Sequence, residues 1–169
     1  MKALILSWLM SLPWTAADKA TETPEARHER MTVIAESVSE LTRGDAHKAS
    51  FVLTQFRRET DFDSAIQRCE CKRFQCDAVK TSEGIYFRAH SLSQAHEEGF
   101  PDLARWWSLC GTERANVDAN VRFTLRFYTP KNLACGYALL GGWRFGCDVK
   151  FAVARAEQAK ALTRKLDGI

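Results

Sequence analysis

The chain has 169 residues, 46% of them hydrophobic, and a formal net charge of +3. That length and apolar content suffice for one domain with a sizeable core and exclude two ordinary ones. So small a charge excess gives no argument for nucleic acid as a partner. Its basic residues mostly alternate with acids, as in EARHER (Glu25–Arg30) and ARAEQAKALTRK (Ala154–Lys165), and such stretches read as solvated helix faces.

Residues 1–17 read as a signal peptide. Lys2 supplies the positive end, Ala3 to Leu12 is a ten-residue apolar stretch with only Ser7 and Ser11 as polar members, Pro13 breaks it, and Thr15 and Ala17 are the small residues before cleavage. A bilayer-spanning anchor needs roughly 20 apolar residues, so no stable span is expected after cleavage. Loss of residues 1–17 leaves 23 basic against 21 acidic residues, a net charge of +2. The expected location is periplasmic or secreted.

Residues 18–44 form a polar leader and a helix. Thr23 and Pro24 make an N-cap and first-turn pair, and Met31, Ile34, Val38 and Leu41 recur at helical spacing until Gly44. Asp45 opens a second helix, in which Ala49, Val52, Leu53 and Phe56 make one apolar face, running to about Glu59. From Thr60 to Ser91 the periodicity breaks into short pieces, read as loops with a small hairpin among them. Helices are then expected at Leu92–Glu98, Pro101–Leu109, Arg114–Tyr128, near Cys135–Leu140, and at Val149–Leu166. No repeat, low-complexity tract or heptad array is present, and the chain is expected to be a monomer. The fold class is mainly α, with a small irregular or β lobe after the second helix.

Cysteines stand at 69, 71, 76, 110, 135 and 147. An even count behind an export signal favours disulfides, although six cysteines allow 15 pairings and spacing cannot choose among them. Cys135 and Cys147 flank a glycine-containing turn and are the favoured local pair. The pairing of Cys69, Cys71, Cys76 and Cys110 stays open. The C-x-C-x4-C run of Cys69, Cys71 and Cys76 lacks the paired C-x2-C knuckles of structural zinc, there is no H-E-x-x-H motif, and neither a metal nor another cofactor is expected.

One acid draws attention. Glu59 sits near the C-terminal end of the second helix, where the helix dipole disfavours a negative charge, with Phe56 three residues before it and Phe62 three after. Cleavage of a glycosidic bond needs a carboxylic acid still protonated near neutral pH, and an apolar setting suits that task. Taken alone, a glutamate at a helix end is a surface charge, and Arg57 or Arg58 would lower its pKa by turning toward it.

The order of segments adds to this. A helix ending in Glu59-Thr60, a loop region, GIYFRAHSLSQAH (Gly84–His96), further helices and CGYALLGGWRFGC (Cys135–Cys147) together resemble the lysozyme-like lytic transglycosylase superfamily, which includes goose-type lysozymes. The likeness is to exported, disulfide-bearing branches. It implies a lysozyme-like domain over residues 45–169, peptidoglycan glycan strands as partner, and Glu59 as general acid, with Thr60 in the slot usually held by serine. The family's G-L-x-Q segment, which lines the sugar cleft, reads Ser91-Leu92-Ser93-Gln94 here, keeping Leu92 and Gln94 and losing the glycine. The late A-x-x-Y-N-x-G motif fits poorly. With Gly142 as its glycine, the Tyr and Asn slots hold Leu139 and Leu140, and Tyr137 comes two residues early.

Ser91, Gln94, Tyr137 and Trp143 are thus the candidate substrate contacts beside Thr60. His90 and His96 flank Gln94 and read as surface or capping histidines. A different class also fits the residues: a non-catalytic, disulfide-stabilised module of lysozyme-like fold that binds wall glycans or a protein. A Glu59 at the floor of a groove beside Gln94 favours the enzyme; one turned outward to Arg57 or Arg58 favours the module.

Overall fold

The computed structural model describes residues 1–70, 78–82, 84–87, 89–96, 108–130 and 149–168, and among these it is mainly helical. The helices are α1 (Lys2–Ser11), α2 (Ala16–Lys19), α3 (Pro24–Leu41), α4 (Ala46–Thr60), α5 (Ser64–Gln67), α6 (Arg114–Leu125) and α7 (Val149–Asp167). Among the described residues between α5 and α6 lie four short strands, β1 (Ala78–Thr81), β2 (Gly84–Phe87), β3 (Ala89–His90) and β4 (Ala95–His96).

The long helices start where local chemistry says they should. The Thr23 hydroxyl accepts the Ala26 N–H at 3.2 Å with Pro24 in the first turn, and the Asp45 carboxylate accepts the Lys48 N–H at 3.0 Å. Each bond satisfies a donor that has no partner inside the helix. Gly44, at φ +71, takes the left-handed turn that separates α3 from α4.

Helix α4 is the middle of the molecule. It packs along α7 and touches α3 and α6, and every residue from Ala49 to Phe56 is buried. A helix covered on all sides is a core element rather than an amphipathic surface one. Helix α3 lies between α1 and α6. Phe51, Phe56 and Phe62 are the largest fully buried side chains, and the Phe62 ring meets those of Trp8 and Phe56 edge-on at 6.0 and 6.4 Å.

The apolar N-terminal run is the helix α1, laid against α3. Ile5 and Leu9 are fully buried, Lys2 pairs with Glu36, and the Arg27 guanidinium donates to the Leu12 carbonyl at 3.0 Å. None of the helices among the described residues is long and apolar enough to cross a membrane.

After α5 comes a β region. β1 and β2 pair antiparallel with Ala78 opposite Phe87 and Thr81 opposite Gly84, and β3 pairs antiparallel with β4. The second hairpin corrects the helix expected at Leu92–Glu98: residues 91–94 are a turn, and Ala95–His96 are the returning strand. Helical spacing lost there to tertiary bonds. The Ser93 N–H and hydroxyl donate to the Asn120 side-chain carbonyl, the Ser91 hydroxyl donates to the Gln67 carbonyl, and Ser91 and Gln94 both take positive φ. Ser108 and Leu109, expected to end a helix, lie in a turn; the rest of that segment and the helix near Cys135–Leu140 fall outside the described residues. Helix α6 stops at Leu125 rather than Tyr128, and α7 runs one residue past Leu166.

Candidate active site around Glu59

The end of α4 is made by an unusual turn. Asp61 and Phe62 have φ of +48 and +60, two successive non-glycine residues in the left-handed region. Each such residue costs about 1–2 kcal/mol. Several contacts offset this. The Phe62 side chain is 1% exposed, the Arg30 guanidinium donates to its carbonyl at 2.8 Å, and its N–H reaches the Thr60 hydroxyl at 3.1 Å. The turn ends α4 one residue past Glu59, drives Phe62 into the core, and lets Asp63 cap α5 through the Ile66 N–H.

Glu59 faces α7. Its side chain is 17% exposed and lies against the 13% exposed side chain of Arg155, with Nη2 at 3.2 Å from Oε1. That oxygen is closed to solvent, and the pair does not give it a well-aligned hydrogen bond. Burial pushes the Glu59 carboxyl above the usual glutamate range, and Arg155 pulls it back without cancelling the effect of burial. Arg155 also reaches Gln55 at 3.4 Å, and Arg58 donates to Gln158 at 2.8 Å, so α4 and α7 are stitched together on this side. Arg57 turns elsewhere, 3.9 Å from Asp61 and over the Trp8 ring at 5.9 Å. Neither neighbouring arginine pairs with Glu59. A residue of the supposedly solvated stretch Ala154–Lys165, Arg155, does so instead, which corrects that reading.

Such a carboxyl holds its proton further toward neutral pH than an ordinary glutamate. Once it has given the proton up, the anion has a cation 3.2 Å away. Both forms are therefore supported, which a group that first donates and then accepts a proton requires.

The other candidates are placed as follows. Thr60 is buried, and its hydroxyl donates to the Phe56 carbonyl at 2.8 Å while accepting from Phe62, so it builds the helix end. Ser91 is fully buried, bonding Gln67 and receiving the Asn120 amide at 3.2 Å. Gln94 is partly exposed, and its amide donates to the Ser91 carbonyl at 3.0 Å. No hydrogen bond or ion pair joins Glu59 to Gln94. Tyr137, Trp143, Cys135, Cys147, Cys71 and Cys76 lie outside the described residues. Of the acids that would supply a second carboxylate, Asp61 faces Arg57, Asp63 caps α5 and Glu70 pairs with Arg68 at 2.8 Å, whereas Asp77 and Glu83 are outside the description. A groove of about 760 Å³ runs past Lys19, Glu22, Glu29, Arg68 and Arg114 and does not include Glu59.

Residues without a motif hold the surroundings. Cys69 and Cys110 form a disulfide that ties the end of α5 to the segment before α6. Gln67 and Asn120, both fully buried, bind the same region through side-chain amides. A buried amide with distant partners leaves no trace in the spacing of a sequence; only the long-range pairing itself reveals it.

No family model, no curated protein and no solved structure matches the chain.

Proposed function

We propose that the protein is an exported enzyme that cleaves the bond between N-acetylmuramic acid and N-acetylglucosamine in peptidoglycan, using Glu59 as its single acid and base. The observation that carries this is the Glu59 carboxyl itself, half-buried at the end of the central helix with one oxygen closed to solvent, and held above the usual glutamate range. The segment order described above supplies the substrate class, by resemblance to lytic transglycosylases and goose-type lysozymes.

In this mechanism Glu59 protonates the glycosidic oxygen as an oxocarbenium-like transition state develops. The resulting carboxylate, steadied by Arg155, then takes a proton from the muramyl 6-hydroxyl, which closes a 1,6-anhydro ring. Where water enters instead, the carboxylate takes the proton from water and the product is a reducing end. One carboxylate serves both steps, in keeping with the capping and pairing roles of Asp61, Asp63 and Glu70. Because the acid must be protonated, turnover falls as pH rises through the raised Glu59 pKa.

One contact favours a second reading, that of a wall-binding or protein-binding module without catalysis. Arg155 stands 3.2 Å from the Glu59 Oε1, an oxygen closed to solvent, so the carboxyl is engaged inside the fold. Mass spectrometry of muropeptides, after digestion of purified peptidoglycan by the protein and by Glu59→Gln, separates the two. Anhydromuramyl or reducing-end products that vanish in the variant support the enzyme. Binding of the wall by both proteins with no product from either supports the module.

A further inference from the structure

Away from Glu59, three side chains with metal-binding atoms converge where α5, the β3–β4 hairpin and the segment before α6 meet. The Sγ atoms of Cys69 and Cys110 and a ring nitrogen of His90 all lie within 4.8 Å of one another. Of the surface and capping roles expected of His90, burial at 9% exposure removes the surface one, and both cysteines are half-buried.

We propose that reduction of the Cys69–Cys110 bond opens a zinc site in which Cys69, Cys110 and His90 are the protein ligands and solvent takes the fourth position. Two thiolates and an imidazole are the ligand types that favour Zn²⁺ over hard cations, and three protein ligands with one open place is an established arrangement for zinc.

The ligands are held together by more than the disulfide. Gln67, two residues before Cys69, accepts the Gly111 N–H at 3.0 Å and donates its amide to the Gly111 carbonyl at 3.3 Å. Ser91, next to His90, donates to the Gln67 carbonyl at 2.9 Å. Asn120 donates to Ser91 at 3.2 Å and to the carbonyl of Leu109, next to Cys110, at 2.8 Å. Gly111 takes φ +137 and passes so close to Asn116 that a Cβ there would lie 2.7 Å from the amide oxygen, so the chain after Cys110 is closely fitted. Each ligand is therefore anchored by a neighbour whose bonds survive reduction. Tetrahedral zinc with Zn–S near 2.3 Å puts two sulfurs about 3.8 Å apart, which side-chain rotation across a Cα separation of 5.4 Å accommodates.

The chemistry balances with a dithiol reductant. It gives two electrons and two protons to the Cys69–Cys110 bond and becomes a disulfide itself. Zinc then displaces both thiol protons and takes a lone pair from the His90 ring. A small disulfide oxidant takes the two electrons back from the two thiolates, becomes a dithiol with two protons from water, and so restores the Cys69–Cys110 bond and releases the metal.

The test uses the full chain, reduced with a phosphine that is then removed anaerobically, and titrated with Co²⁺ and Zn²⁺ beside the oxidised protein. The expected result is sulfur-to-cobalt charge-transfer absorption with intense tetrahedral d–d bands in the reduced protein alone. Zn²⁺ should shield Cys69 and Cys110 from alkylation, as mapped by peptide mass spectrometry, and His90→Ala should weaken binding about tenfold or more. The proposal is overturned if shielding falls only on other cysteines, or if His90→Ala binds as tightly as the parent. It is equally overturned if the reduced chain binds no metal, including by unfolding, since the hydrogen bonds around Gln67 and Asn120 are held to keep the ligands in place.

Discussion

Replacing Cys69 and Cys110 together by alanine removes a tether that closes a long loop. The two residues are 41 apart in sequence. In the chain-entropy description the unfolded state gains roughly 13 cal/mol/K when a loop of that size is released, which is about 4 kcal/mol at room temperature. For a chain of this length that corresponds to a fall in Tm of roughly 10 °C. The native state should change little, because the Gln67–Gly111 and Asn120–Leu109 hydrogen bonds span the same junction. The assay is urea unfolding of the Cys69→Ala/Cys110→Ala protein beside the parent under non-reducing conditions, followed by far-UV circular dichroism. The expected outcome is a native spectrum that matches the parent's and a midpoint lowered by the equivalent of about 4 kcal/mol. A variant within about 1 kcal/mol of a parent whose Cys69–Cys110 bond has been mapped would refute the loop-closure reasoning.

Three further outcomes follow from the packing and the charges. Glu59 has a folded pKa above its unfolded one, so the native state binds the extra proton and stability declines as pH rises from the unfolded value through the raised one. Glu59→Gln should therefore be at least as stable as the parent at neutral pH, with the gap closing on acidification; a gap that widens in acid would show the sign to be wrong. Asn120→Ala strips five hydrogen bonds from a fully buried position and should cost about 3 kcal/mol in chemical denaturation, whereas a loss below about 0.5 kcal/mol would mean that the hairpin does not depend on it. Residues 1–17, expected from the sequence to be a cleaved leader, are packed into the core in this structure, and their removal uncovers the partners of Ile5 and Leu9, each worth about 1.5–3 kcal/mol buried. The shortened protein should melt well below the full chain, and coincident melting curves would show that α1 adds nothing to the core.

What could be read from the sequence was what local chemistry decides. Thr23, Pro24 and Asp45 marked the starts of α3 and α4 because capping acts within three residues, and Glu59 was placed at a helix end by the fading of the Ala49–Phe56 pattern. The turn that makes that end was not visible, since its left-handed positions hold Asp61 and Phe62 and no glycine announces them. The β3–β4 hairpin hid for the same reason: Ser91 and Gln94 take positive φ with no glycine to announce them, and the turn is held by bonds from Ser91 to Gln67 and from Ser93 to Asn120, 24 and 27 residues away. Arg155 read as one more solvated charge because its partner lies on a helix nearly a hundred residues earlier. The Cys69–Cys110 pair could not be picked from 15 pairings by spacing alone.

Whether Glu59 is a proton donor is most directly tested by the rate at which purified peptidoglycan is solubilised by the parent and by Glu59→Gln, with both shown to be folded by circular dichroism. Loss of a general acid should lower the rate by about 10²–10⁴-fold while the variant keeps its fold. A Glu59→Gln protein that clears the wall at the parental rate would contradict the assignment and move the chemistry to another residue.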